Sequence, residues 1–308
     1  MNTKRKGEWF EITVPPEWNG LTINQVLRDQ WKGPKKQIHQ LRMDNGVQMN
    51  GKPADWHAPL HAGDRLQIHF FKEQDFGVIP TFMEIDVLYE DDHLLVVNKP
   101  AGIDTHPNHP DECDTLANAV AYYLLAKGEH CKVIHVHRLD RNTTGTVLFA
   151  KHSFIGALLD RLLEERKIKR IYLAIADGII KKSRGTIDAP IGRDRHHPTK
   201  RRVSPTGQRA VTHYQVIQRL KKENQTIIKC VLDTGRTHQI RVHLASIGHP
   251  LCGDTLYGGK PVYPRQALHA ARLEFIHPFT QEKITCNAPF LDGWWGSFFR
   301  NEVSPLKL

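Results

Sequence analysis

No run in the chain approaches the roughly 18 consecutive apolar residues of a membrane helix, so a soluble protein is expected from its 40% hydrophobic content. Cysteine is scarce and scattered. Cys113, Cys131, Cys230, Cys252 and Cys286 are odd in number and hold no C-x-x-C pair, which argues against a disulfide framework, a zinc finger and redox chemistry. No apolar stretch follows the basic start, which runs into Gly7-Glu8-Trp9-Phe10, so no secretory leader is indicated and a cytoplasmic location is expected. Acid is in deficit: 33 Asp and Glu stand against 43 Lys and Arg, a net charge of +10. That excess favours a polyanionic partner, because Lys and Arg set against phosphates release counterions, although charge alone leaves the matter even.

What is present suits two domains in 308 residues. Residues 8–14 and 65–71 have the pattern of short strands. Between them, Ile23, Val26, Leu27 and Trp31 share one helical face, and Ile38 with Leu41 begins another. Gly46-Val47-Gln48-Met49-Asn50-Gly51 is a strand between Asn/Gly turns, and Gly63-Asp64 precedes the last strand. Over residues 18–71 this G-V-x-x-N-G turn and later G-D resemble a small α/β S4-type RNA-binding module. The second helix of that family usually opens with Ser-Arg; here Lys35-Lys36 follow Pro34. Lys35, Lys36, His39 and Arg42 lie within reach of one helix face and could follow a phosphate backbone; a merely solvated face is the alternative.

Residues 73–83, with Gly77, Pro80 and little periodicity, read as a linker after a domain of residues 1–72. A hairpin pattern then leads to Asn98-Lys99-Pro100-Ala101-Gly102, and the apolar stretch Leu116–Ala126 reads as a core helix. The organising stretch runs from Val133 to Lys151. Two β-rich runs flank the turn Arg141-Asn142-Thr143-Thr144-Gly145, placing Asp140 at the end of a strand. If that strand is regular to its end, Arg138 and Asp140 share one face, and His135, His137 and Leu139 the other. Ser153 is expected to cap a helix with an apolar stripe at Ile155, Leu158, Leu159, Leu162 and Leu163, and strands are expected over 168–175, 209–216 and 226–232. Arg193–Arg202 is expected to be an exposed basic loop, with Arg201 and Arg202 facing phosphate. Within Thr234–Gly248, a short helix entered from a Gly turn is expected, with Ile240, Leu244 and Ile247 in its stripe and Gly248 at its end.

The string His137-Arg138-Leu139-Asp140, then Thr143-Thr144-Gly145, then Ala150-Lys151, resembles the RluA-type pseudouridine synthase signature HRLDxxTSGxxxxAK; Thr144 replaces the usual Ser and keeps a hydroxyl. The resemblance extends over most of residues 85–290. It implies an α+β catalytic domain over residues 84–300, with a mixed, mainly antiparallel sheet, packed helices and a basic cleft, followed by a tail at 301–308. It also implies RNA as substrate, ribosomal RNA of the large subunit first and transfer RNA as the alternative, with a non-catalytic RNA-binding or ribosome-assembly protein as the rival from another class.

By motif position the resemblance makes Asp140 the catalytic aspartate, Arg241 its arginine partner and Tyr172 the tyrosine over the uracil. Arg138 would enter the RNA where the target uridine stood, and His137, Thr144 and Leu244 are counted with the substrate-contacting residues. Isomerising uridine needs a nucleophile or base, a pocket that retains the freed base and a way out of the RNA stack, but neither metal nor cofactor. Attack on the sugar, attack on uracil and proton abstraction to a glycal remain open, the last preferred. A metal-dependent hydrolase built on His135-x-His137 is set aside, because strand alternation would turn Asp140 away from those histidines. A monomer without an obligatory protein partner is expected.

Overall fold

The computed structural model describes residues 2–295; the tail expected at 301–308 lies outside them. Among the described residues, strands β1 (Thr3–Lys6), β2 (Trp9–Thr13), β3 (Val47–Met49), β4 (Lys52–Pro53) and β5 (Arg65–Ile68) form a small antiparallel sheet ordered β1-β2-β5-β3-β4. Helix α1 (Ile23–Gln25), prolonged by a π turn over Val26–Gln30, and α2 (Lys35–Met43) connect β2 to β3. Thr22 starts the first helix with a capping box: its hydroxyl accepts the Gln25 amide, and Gln25 Oε1 accepts the Thr22 amide at 2.8 Å. Ile23, Val26, Leu27, Trp31 and Ile38 are buried, as their helical spacing predicts.

The large sheet contains β6 (Asp86–Glu90), β7 (Leu94–Lys99), β8 (Ile134–His135), β9 (Thr144–Ala150), β10 (Lys169–Asp177) and β11 (Arg184–Asp188). A separate hairpin of β12 (Ile191–Arg193) and β13 (Arg201–Val203) interrupts the series before β14 (Val211–Leu220), β15 (Gln225–Leu232), β16 (Leu268–Ile276) and β17 (Lys283–Asn287). The order is β11-β14-β15-β10-β16-β9-β7-β6, with β17 beside β16 and β8 beside β9. Only the β9–β16 pair is parallel among these, so the sheet is mixed and mainly antiparallel. Helices α3 (Leu116–Ala126), α4 (Ser153–Glu164) and α5 (Gln239–Ser246) bury most of their apolar side chains against it.

Gly145 makes the close β9–β16 approach possible. Its φ is +113°, and a Cβ there would collide with the Ala270 carbonyl. The chain between the sheets, residues 69–85, has neither helix nor strand, yet Phe70, Phe71 and Phe76 are buried, so this connection is packed down. One apolar cluster consequently runs through both sheets. At its centre Phe279, fully buried beyond β16, lies with its ring centre 5.1 Å from Phe10, 4.8 Å from Trp31 and 5.6 Å from Phe70.

Three local expectations are corrected. The strand before the organising turn is only Ile134–His135, so Asp140 lies in a loop rather than at a strand end. The ladder is short: β8 pairs with β9 over two residues, Val136 adds one backbone bond to the Leu148 carbonyl at 2.9 Å, and the chain then turns away to meet residues 99–105. Ser153 is the first residue of α4, and the cap is His152, whose ring nitrogen accepts the Ile155 amide at 3.3 Å. The basic segment 193–202 is the end of a two-stranded hairpin, because Arg193 pairs with Arg201 and Gly192 with Arg202; residues 194–200 form its exposed tip.

Candidate active site

Loop 136–143 is held from beneath by buried polar groups. The Thr105 hydroxyl donates to the Leu139 carbonyl at 3.1 Å and accepts the Leu139 amide at 3.0 Å. Lys99, with no exposed surface, donates from its ammonium to the carbonyls of Pro100 (2.8 Å), Ile103 (2.6 Å) and Arg141 (2.8 Å). Burial pulls the pKa of this ammonium down to about 7, against the favourable charges of Asp104 and Asp140. From the other side Arg265 donates to the Asn142 carbonyl at 2.9 Å. The loop that carries Asp140 is therefore irregular in dihedral angles but fully tied.

Across from it, α5 presents Arg241. Its start is pinned to β14 by Gln239, which donates to the Val211 carbonyl at 3.0 Å and accepts the Thr234 hydroxyl at 2.7 Å. The Arg241 guanidinium makes a two-pronged contact with buried Asp254, Nε to Oδ2 at 2.7 Å and Nη2 to Oδ1 at 2.9 Å. That leaves Nη1 for Asp140 Oδ2, at 3.1 Å. Burial opposes the charge on Arg241, but the bonds and charges of Asp254 and Asp140 outweigh it and raise its pKa further. Tyr257 closes the group: its ring lies 5.0 Å from the guanidinium carbon, and its oxygen is 2.8 Å from His238 Nδ1 and accepts the Arg201 amide at 2.9 Å.

Tyr172 stands on β10, where Ile171 pairs with Arg272 and Leu173 with His269, so β16 carries one extra residue opposite it. Such a bulge re-aims side chains, and Tyr172 lines the same cleft as Asp140 and Arg241. Burial raises the pKa of its phenol, Arg170 acts in the opposite sense, and Asp140 adds to the rise. At neutral pH the phenol is therefore neutral, and its ring, 4% exposed, forms part of the cleft's inner wall. The cleft, about 690 Å³, carries exposed Arg138, Arg166, Arg209 and Arg236, with Arg170 buried in its wall; Asp160, Glu164 and Asp233 also line it, and Asp233 pairs with Arg166 at 3.0 Å. Its charge suits a phosphate backbone at the rim and a planar base within.

The structure thus brings Asp140, Tyr172, Arg241 and Arg138 together on one cleft. His137 reaches the same wall but is buried, with Nε2 accepting the Leu148 amide at 3.3 Å and burial depressing its pKa to about 3; it supports the loop and does not face RNA as a cation. Two expected contacts are corrected. Thr144 is covered, because β9 and β16 close over it and its hydroxyl is taken by His269 at 2.8 Å and Arg265 at 2.9 Å. Leu244 has no exposed surface, because its side of α5 packs into the apolar core. Lys35, Lys36 and Arg42 are exposed on α2, away from the cleft, and Arg201 and Arg202 lie on the β12–β13 hairpin.

Asp254, Tyr257, Lys99 and Thr105 were not identified from sequence as site residues. Asp254 and Tyr257 stand in Gly253-Asp254-Thr255-Leu256-Tyr257-Gly258, where an acid between glycine-rich turns was the available signal. Lys99 and Thr105 had none, since neither charge nor spacing shows a lysine aimed inward at carbonyls.

Residues 93–246 match the family model described as RNA pseudouridylate synthase, and residues 10–66 match that of the RluD ribosomal pseudouridine synthase N-terminal domain. The chain is 47% identical over 287 residues to the uncharacterized RNA pseudouridine synthase YhcT of Bacillus subtilis, covering 93% of this chain and 95% of that relative. It is 39% identical to the ribosomal large subunit pseudouridine synthase D of Pseudomonas aeruginosa, covering 94% and 95% of the two chains. Among solved structures, human RNA pseudouridylate synthase domain containing 1 superimposes with a TM-score of 0.55 at 26% identity, over 70% of this chain and 87% of that one.

Proposed function

The chain belongs to the RluA-type RNA pseudouridine synthases, and from that premise we propose that it isomerises specific uridines of large-subunit ribosomal RNA with Asp140 as the catalytic carboxylate. The observation that carries the assignment of Asp140 is its contact with Arg241, whose other edge is occupied by Asp254. An arginine held in this way keeps a carboxylate in one orientation in a place that excludes water once a base has entered. Tyr172 supplies a stacking face for the uracil. Arg138, exposed at the rim, enters the space the uridine leaves and offsets part of the few kcal/mol that flipping costs.

Of the routes open to Asp140, abstraction of a sugar proton to give a glycal is the one we favour. The reaction is an isomerisation, with no change of redox state and no group gained or lost, so it needs no cofactor. Residues 1–72 grip RNA through Lys35, Lys36 and Arg42, residues 84–300 carry the chemistry with Arg201 and Arg202 on phosphate, and 73–83 connect them. Ribosomal RNA as the target rests on relatives such as the ribosomal large subunit pseudouridine synthase D of Pseudomonas aeruginosa. The enzyme works in the cytoplasm as a monomer. No helix among the described residues is long and apolar enough to cross a membrane.

The test is pseudouridine mapping by carbodiimide labelling on RNA from cells with the gene, without it, and with Asp140→Asn. Sites lost in both altered strains and restored by the wild-type gene are expected within large-subunit ribosomal RNA. Sites that persist in the Asp140→Asn strain would overturn the role of Asp140, and sites only in transfer RNA would replace the substrate.

A further inference from the structure

Helix α4 touches both working parts of the molecule. At its start the Gln37 side chain donates to the Ser153 carbonyl at 2.9 Å, and Phe154 packs with its ring centre 4.8 Å from Phe70. Gly33 lies so close that a Cβ on it would stand 2.6 Å from the end of the Phe154 ring. About two turns further, the Arg161 guanidinium donates to the carbonyls of Trp31, at 2.8 Å, and Lys32. At its far end Asp160, Leu163 and Glu164, with Arg166 beyond them, wall the cleft that holds Asp140. A helix of 12 residues spans about 18 Å, so the contact with the small sheet's helices and the cleft wall are fixed on one rigid rod.

The small-sheet unit also carries a basic face of its own. Arg28, Lys35, His39 and Arg42 surround a shallow groove with Trp56, whose ring centre lies 6.0 Å from the Arg42 guanidinium carbon. A module on a free tether raises the local concentration of RNA but leaves open which nucleotide reaches the cleft. A module bolted to α4 removes that freedom. We propose that α4 is a spacer, and that Gly33, Phe154 and Arg161 are specificity-determining residues: by seating the RNA-gripping unit at a fixed distance from Asp140 they select which uridine enters. The inference rests on the reading of the chain as a synthase acting on a long structured RNA.

Three variants test it: Gly33→Leu, which wedges the seat; Arg161→Glu, which removes the two carbonyl bonds from a partly exposed position and serves should Gly33→Leu fail to fold; and a six-residue Gly/Ser insertion after the exposed Phe82. Each is given a full-length large-subunit RNA transcript and a short stem-loop containing the mapped target uridine, and small-angle scattering reports whether the unit has come free. The seat variants are expected to expand, to keep the stem-loop rate within about twofold, and to lose about tenfold or more of the selectivity for the target on the long RNA, with new uridines modified. The insertion should behave as wild type, because the seat rather than the connection sets the distance.

Seat variants that come free yet modify the same uridine at the same rate would overturn the proposal, as would variants that stay docked or an insertion that shifts the site. A wild-type protein that forms no pseudouridine on either RNA would instead sink the assignment of substrate.

Discussion

Around Asp140 the buried side chains are polar and tied by directional bonds: Lys99 to three carbonyls, Thr105 to both backbone groups of Leu139, Arg241 to two aspartates. Around Phe279 the contacts are rings on rings, with Phe10, Trp31, Phe70 and Phe154 meeting it at centre distances of 4.8 to 6.3 Å. Hydrogen bonds fix an atom's position to a few tenths of an ångström but contribute only about 0.5–1.5 kcal/mol each in net stability, whereas a buried aromatic side chain contributes far more and tolerates small slides. The cleft is built for placement and the seat for holding. Mutations in the two regions should therefore divide between rate and stability.

The sharpest test of that division is Phe279→Ala. It should cost about 3–5 kcal/mol, read as a lower denaturation midpoint, and should free the small sheet from α4. A loss under 1 kcal/mol would show that the shared cluster does not hold the two sheets together. In the cleft, Asp254→Asn should leave the denaturation midpoint nearly where it was while turnover falls about 10²-fold, since Arg241 can then rotate away from Asp140. An unchanged rate would mean that Asp140 alone orients Arg241. Lys99→Met strands three carbonyls. A loss of about 1–3 kcal/mol is expected, with the rate loss in kcat rather than KM, because the Asp140 loop moves while the RNA face does not.

The smallest effect concerns acid. His93 and His152 lie in the seat with Nδ1 and Nε2 2.9 Å apart, and burial depresses both, His152 to about 3. Their folded pKa values lie below the ordinary value of 6.5, so the unfolded chain binds more protons below pH 6.5, for His152 down to about 3. The stability that neutral imidazoles allow is thus complete above pH 6.5 and falls with acidification, by about 1.4 kcal/mol per pH unit for each histidine. Denaturation midpoints measured from pH 7.5 to 5 should decline, and His152→Phe should flatten the slope. A slope that is flat in the wild type would show that these histidines take up protons in the folded state as readily as in the unfolded one.

The elements were legible wherever side-chain period and burial agree. The stripe on α4, the helix Leu116–Ala126, the hairpin β6–β7 and the strand Val47–Met49 between its Asn and Gly turns all stand where the sequence patterns put them. The pattern predicts a strand up to Asp140 where the structure has a loop, because the ladder with β9 ends at the Val136–Leu148 backbone bond and Leu139 is buried by packing alone, which period cannot distinguish from a strand position. Thr144 and Leu244 were misplaced for a related reason. A motif says that a residue type recurs, and recurrence serves packing as readily as contact with RNA.

Sequence by itself carried the family. His137-Arg138-Leu139-Asp140 with Thr143, Gly145 and Lys151 at fixed spacings resembles the RluA-type signature, that resemblance implies Tyr172 and Arg241 as partners of Asp140, and the basic excess favours a polyanion. Only the tertiary structure decided that Asp254 sets the orientation of Arg241, that a buried lysine ammonium bonded to three carbonyls underlies the Asp140 loop, and that α4 joins the small-sheet unit to the cleft wall. The physical reason is range. Periodicity and motif spacing report on neighbours along the chain, whereas Arg241 meets Asp140 across 101 positions and Arg161 meets Trp31 across 130, and such pairs exist only once the sheets have packed.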